Sequence, residues 1–171
     1  MAGNYFLGEA NSASGNYRLA IHHYEKAIAS LESKQVMPSW LILNRIALAR
    51  TRMLGEGASF ELDPLRFAIS QNRISLHEGQ LFRYMAEILM DTGETGVLEA
   101  EDWIRKAIDA NERNGVRWNL AMDYACLAEW FKRKGDRLKA RENLGRAIEI
   151  LKECGADGWV RKYEKELALL L

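Results

Sequence analysis

Three histidines, two cysteines and 24 carboxylates are the side chains with chemistry to offer in this 171-residue sequence. Their spacing withholds most of it. His22 and His23 are adjacent, so on a helix they point in different directions, and His77 stands far along the chain. A structural zinc site needs four ligands at short paired spacings, and none are present. Cys126 and Cys154 have no histidine at a spacing that suggests a nucleophile and its base, and no glycine-framed serine forms a strand-to-helix elbow. Both cysteines fall in helical patterns, where a thiol is expected to act as a small buried apolar group. Glu99 and Glu101, like Glu164 and Glu166, are two residues apart and so lie on different helix faces, which makes them solvated charge. Gly55-x-Gly57 lacks the lysine and the preceding strand of a phosphate-binding loop. The expectation is a chain with no catalytic residues, no metal and no cofactor, and no enzymatic activity.

Charge narrows the partners. Lys and Arg total 24 against 24 Asp and Glu, a formal net charge of zero. Nucleic-acid binding and attraction to anionic membrane both depend on a cationic surplus, so neither partner is expected. No apolar run approaches the roughly 20 residues of a membrane span, and Met1-Ala2-Gly3 opens no basic-then-apolar leader. Two thiols without a leader fit a reducing compartment, so the expected localisation is cytoplasmic.

The elements that must position these residues are helices, and they repeat. Ala20-x-x-x-Tyr24-x-x-Ala27-Ile28 recurs as Ala100-x-x-x-Ile104-x-x-Ala107-Ile108 and as Ala140-x-x-x-Leu144-x-x-Ala147-Ile148, offsets of 80 and 40 residues that imply a 40-residue period. Spacings of three and four put each set on one helix face, where alanines admit a close neighbour and the larger residue fills the groove between helices. Gly15, Gly55, Gly93 and Gly135 follow stretches of helical spacing and predict turns, as do Gly115 and Gly155. First helices carry their own pattern, Phe82-x-x-Met85-Ala86-x-x-Leu89 and Tyr124-x-x-Leu127-Ala128-x-x-Phe131. The second hairpin is irregular. Pro38 opens its first helix, Gly55 to Ser59 reads as a loop, and Asp63-Pro64 reads as an N-cap and first-turn proline before a helix through Phe67, Ala68 and Ile74. After Gly155, Trp159, Val160, Tyr163 and Leu167 make one face of a last helix whose other face is charged, as suits the end of a helical stack.

Leu7-Gly8, Gly15-Asn16-Tyr17, Ala20, Tyr24 and Ala27, with Tyr124, Leu127, Ala128, Phe131, Gly135-Asp136, Ala140, Leu144 and Ala147, resemble the tetratricopeptide repeat. Ala86, Gly93, Ala100, Ile104 and Ala107 match it a third time. The closing proline of that repeat is missing, with Glu32, Glu112 and Lys152 where it would fall, and the period exceeds the standard 34. The longer variety resembles the C-terminal repeat regions of bacterial signalling ATPases, adenylate cyclases and ATP-dependent transcription activators. The resemblance implies an all-α, right-handed solenoid of about four antiparallel hairpins: repeats near 1–36, 37–78, 79–115 and 116–155, then a capping helix over 156–171, in a single domain. It also implies a protein-interaction module that binds a peptide or protein segment on its concave face. A second reading is a regulatory arm of a larger signalling protein that responds to a small molecule or to self-association.

Projecting the hairpin pattern onto that face selects first-helix residues off the packing stripe. Among them Arg45, Arg52, Arg83, Glu87, Glu129 and Lys132 are the candidate ligand-binding residues. The three arginines are expected to converge on a carboxylate or an acidic peptide. On that expectation, charge reversal at Arg83 abolishes partner capture and leaves melting unchanged. Trp103, Trp118, Trp130 and Trp159 are expected to pack in the core, and Trp40 is the tryptophan placed to line a binding surface.

Overall fold

The computed structural model describes residues 2–170, and among them every regular element is a helix. In order these are α1 (Ala2–Ala13), α2 (Tyr17–Lys34), α3 (Pro38–Glu56), α4 (Leu62–Ser70), α5 (Ser75–Leu89), α6 (Glu94–Asn114), α7 (Arg117–Arg133), α8 (Arg137–Glu153) and α9 (Asp157–Ala168). The chain divides into two compact units, Met1–His77 and Glu78–Leu171.

Helix ends follow from the turn chemistry. At Gly135 the backbone takes a left-handed φ of 76°, and the next amide, Asp136 N–H, reaches back to the Phe131 carbonyl at 2.9 Å. This satisfies a carbonyl that the helix end leaves open, in a conformation only glycine adopts without a Cβ clash. Gly15, Gly115 and Gly155 repeat the arrangement. The Asp136 carboxylate then accepts from the Lys139 amide at 3.0 Å and opens α8, and that bond holds its carboxyl below the usual range.

In the first unit α1, α2 and α3 pack in sequence, each antiparallel to the next. Tyr24 of α2 lies on Gly8 of α1, and the pairs Glu32–Arg45 and Glu25–Arg52 join α2 to α3. α1 and α3 run parallel: the Tyr5 ring meets Trp40 edge-on at 5.4 Å, and the Ser12 and Thr51 hydroxyls stand 3.4 Å apart. In the second unit α6–α7, α7–α8 and α8–α9 are likewise antiparallel neighbours. Here too alternate helices run parallel, Trp118 and Met122 of α7 against Trp159 and Tyr163 of α9. The repeated alanine template is the core of both units. Ala20, Tyr24 and Ala27, Ala100, Ile104 and Ala107, and Ala140, Leu144 and Ala147 are all at most 2% exposed.

Four local expectations are corrected. Gly55 is not a turn: α3 continues through Glu56, and Gly57 takes the left-handed cap with φ 66°. Gly55 instead lets the Tyr17 side chain of α2 rest directly on the α3 backbone. The N-cap of α4 is Glu61, not Asp63, and the helix ends at Ser70 before Ile74. With only nine residues, α4 buries Ile69 and leaves Phe67 69% exposed. Cys126 is buried, but Cys154 is the exposed C-cap of α8. Trp40 lines no open surface, because its ring is held edge-on between Tyr5 and His77, the latter at 5.0 Å.

The α2–α3 connection lacks the glycine used elsewhere, and Gln35 takes the left-handed conformation in its place, φ 51°. A Cβ there costs about 1–2 kcal/mol, partly offset by the greater freedom glycine has in the unfolded chain. Gln35→Gly is therefore expected to raise unfolding stability by roughly 0.5–1 kcal/mol. A urea midpoint that stays put or falls would count against this account.

Candidate functional site

The second unit holds the one place where several buried charges meet among the described residues. α5 places Arg83 and Glu87 one turn apart, with Arg83 Nε 3.5 Å from Glu87 Oε1. The parallel helix α7 brings Asp123 alongside, and Arg83 Nη1 donates to Asp123 Oδ1 at 2.9 Å and to the Asn119 carbonyl at 3.2 Å. From α6, Asn111 Nδ2 donates to Asp123 Oδ2 at 2.5 Å, so both carboxylate oxygens are engaged. Asn111 fits because residue 79 is glycine; a Cβ at that position would collide with its amide. The Arg83 guanidinium also lies 5.4 Å from the Tyr84 ring centroid, and the Tyr84 hydroxyl accepts from Gln80 Nε2 at 2.6 Å. Asp123 is fully buried and Arg83 is 5% exposed.

Burial sets the electrostatics. It pushes the Asp123 carboxyl up to about 6 against the pull of Arg83 and Asn111, so the group is ionised at neutral pH. Burial also works against the Arg83 charge, but Asp123, Tyr84 and Glu87 outweigh it and hold the guanidinium protonated. Burial pushes the phenol of Tyr163 up as well, with Glu166 adding to the effect. A buried pair satisfied on every side fixes the register of the helices that carry it. With both charges committed, neither is available as an acid, a base or an anion hook.

The other residues selected from sequence are placed as follows. Arg45 and Arg52 lie on the side of α3 that faces α2, in exposed pairs with Glu32 at 2.7 Å and Glu25 at 2.6 Å. Glu129 and Lys132 come together on α7 at 2.6 Å, and Arg133 reaches Glu129 at 3.4 Å. Arg83 and Glu87 come together in the cluster, whereas Arg45 and Arg52 belong to the other unit. Exposed pairs of this kind contribute about 0–1 kcal/mol each. Asp123, Asn111 and Gly79 are the members that the sequence reading missed. One signal was available: Asp123 stands one 40-residue period after Arg83, at the same position of the next first helix and with the opposite charge.

Among the described residues no group of three His, Cys, Asp or Glu side chains is placed to hold a metal ion, and no helix is long and apolar enough to cross a membrane. No family model, curated protein or solved structure matches the chain.

Proposed function

We propose that the chain is a protein-interaction module, a right-handed helical-hairpin solenoid of tetratricopeptide type that takes a peptide or protein segment along the face of its first helices. One observation carries this reading: first helices contact one another in parallel at close to one sequence period. Arg83 with Asp123, Met90 with Arg133, Trp118 with Trp159 and Met122 with Tyr163 are separated by 40 to 43 residues. Stacking that advances by one repeat is how solenoids are built, and the face it generates suits an extended or helical segment. A buried cluster whose charges are all paired supports binding over catalysis.

With Arg83 committed to Asp123, recognition on that face falls to its more accessible neighbours, Glu87, Glu129 and Lys132. Hydrogen exchange of the full chain against an array of synthetic peptides, extended and helical, tests the reading. A bound peptide should protect α5 and α7 near Glu87 and Glu129, and Glu129→Lys should weaken it about tenfold, in line with a rim charge. Protection confined to the second helices α6 and α8, or no binder in the array, would overturn it.

A further inference from the structure

One end of the second unit carries two exposed leucines in matching positions. Leu98 in the first turns of α6 is 61% exposed, and Leu138, one period later in the first turn of α8, is 80% exposed. Packing holds both helix starts against the end of α7. The Trp130 indole donates to the Val97 carbonyl at 2.6 Å, Phe131 meets the Trp130 ring edge-on at 4.9 Å, and the Lys139 ammonium lies 5.3 Å from the Phe131 centroid. Arg133 ties the α5–α6 turn to the same place through Asp91 at 2.7 Å and the Met90 carbonyl at 2.8 Å.

The charges around the two leucines are opposite. From Asp91 to Asp102 there are five acidic residues and no basic one; from Lys132 to Arg141 there are six basic residues and one acidic. In a chain of zero net charge this is a concentrated separation. Glu94 and Asp102 stand one turn either side of Leu98, and Arg137 and Arg141 stand beside Leu138. None of these four makes a salt bridge with another described residue. An acidic peptide or an anionic surface would meet the acidic half, and a cationic partner would meet the basic half. The complement must carry both signs in inverted order around an apolar centre, and this chain displays that arrangement itself.

We infer that this end of the second unit is a self-association surface, on which a second copy docks by a two-fold axis. The acidic start of α6 in each copy lies on the basic α7–α8 turn of the other, and Leu98 packs against the partner copy's Leu138. A two-fold contact uses each patch once per copy and closes at two subunits. The surface lies mainly on second helices and their turns, separate from the first-helix face proposed for peptides, so each can fail without the other.

Sedimentation equilibrium of the full chain over a concentration series tests this. A dimer is expected at low ionic strength, shifting toward monomer as salt rises. Two charge variants give the stricter test: Arg137→Glu with Arg141→Glu, and Glu94→Lys with Asp102→Lys. Each alone sets like charges opposite one another and should weaken association at least ~100-fold. An equimolar mixture restores opposite charges at both contacts and should recover the dimer mass. Leu138→Asp should also give monomer, and the helical signal and melting should be unchanged in all three. Any of three results overturns the surface: a wild-type chain that is monomeric throughout, variants that keep the wild-type mass, or a mixture that stays monomeric.

Discussion

Arg83→Met is expected to lower the unfolding stability of the second unit by about 3–5 kcal/mol, the loss seen when one partner of a buried ion pair is removed. Methionine keeps most of the side-chain volume, so the effect comes from charge. Asp123 would remain fully buried with only Asn111 to serve it, beside Glu87. Arg83→Met with Asp123→Leu removes both charges and should recover at least half the loss, because a well-packed apolar pair is often as stable as the ions it replaces. Urea unfolding followed by circular dichroism measures both. A cost under ~1 kcal/mol for the single variant would mean that the pair is more hydrated than its burial implies. This reverses the expectation that charge reversal at Arg83 leaves melting unchanged. Arg83→Glu would set a third carboxylate against Asp123 and Glu87, and any lost partner capture would report unfolding. Glu129→Lys and Lys132→Glu, at accessible positions, probe the face without that confusion.

The helices and most of their stops could be read from the sequence because both rest on local rules. Alanine spacing fixes a helix face, and a glycine left-handed cap followed by a polar residue fixes an end; Gly135-Asp136 supplies both the stop of α7 and the cap of α8. Gly55 shows where the rule divides. A glycine after an apolar stretch marks either a left-handed turn or a close approach, and only the position of Tyr17 on the neighbouring helix decides between them. Phe67 misled for a related reason: a nine-residue helix has too few turns to bury a full stripe. The candidate site was harder to read. Arg83 carries the charge of a ligand hook, and its burial depends on Asp123 and Asn111, which lie on two other helices. Arg45 and Arg52 were assigned to an open face because the projection ignored Glu32 and Glu25 across the α2–α3 contact. Pairing across one period, once the period is known, is the test that would have separated committed charges from available ones.

The same period exposes a size rule that yields the second large effect. At one position of the first helix the chain carries Gly8, Ala86 and Ala128, and at the central position of the following second helix it carries Tyr24, Ile104 and Leu144. All three central residues are at most 2% exposed. The bulkiest of them faces the glycine: the Tyr24 ring lies where a Cβ on Gly8 would be, and its hydroxyl donates to Glu9 Oε1 at 2.5 Å. Gly8→Ala therefore has no room unless a fully buried ring shifts, and overpacking of this kind costs about 1–3 kcal/mol. Tyr24→Leu alone removes that ring and leaves a cavity, with a loss of roughly 2–4 kcal/mol by comparison with other large-to-small core changes. Together they recreate the alanine–leucine pair of the last hairpin, so the double variant should be much less destabilised than the sum of the two. The coupling should fall in the 0.5–3 kcal/mol range typical of residues in direct contact. A double-mutant cycle by chemical denaturation measures it. Simple additivity would show that Gly8 and Tyr24 are not packed as one unit, and that glycine stands at position 8 for some reason other than the tyrosine above it.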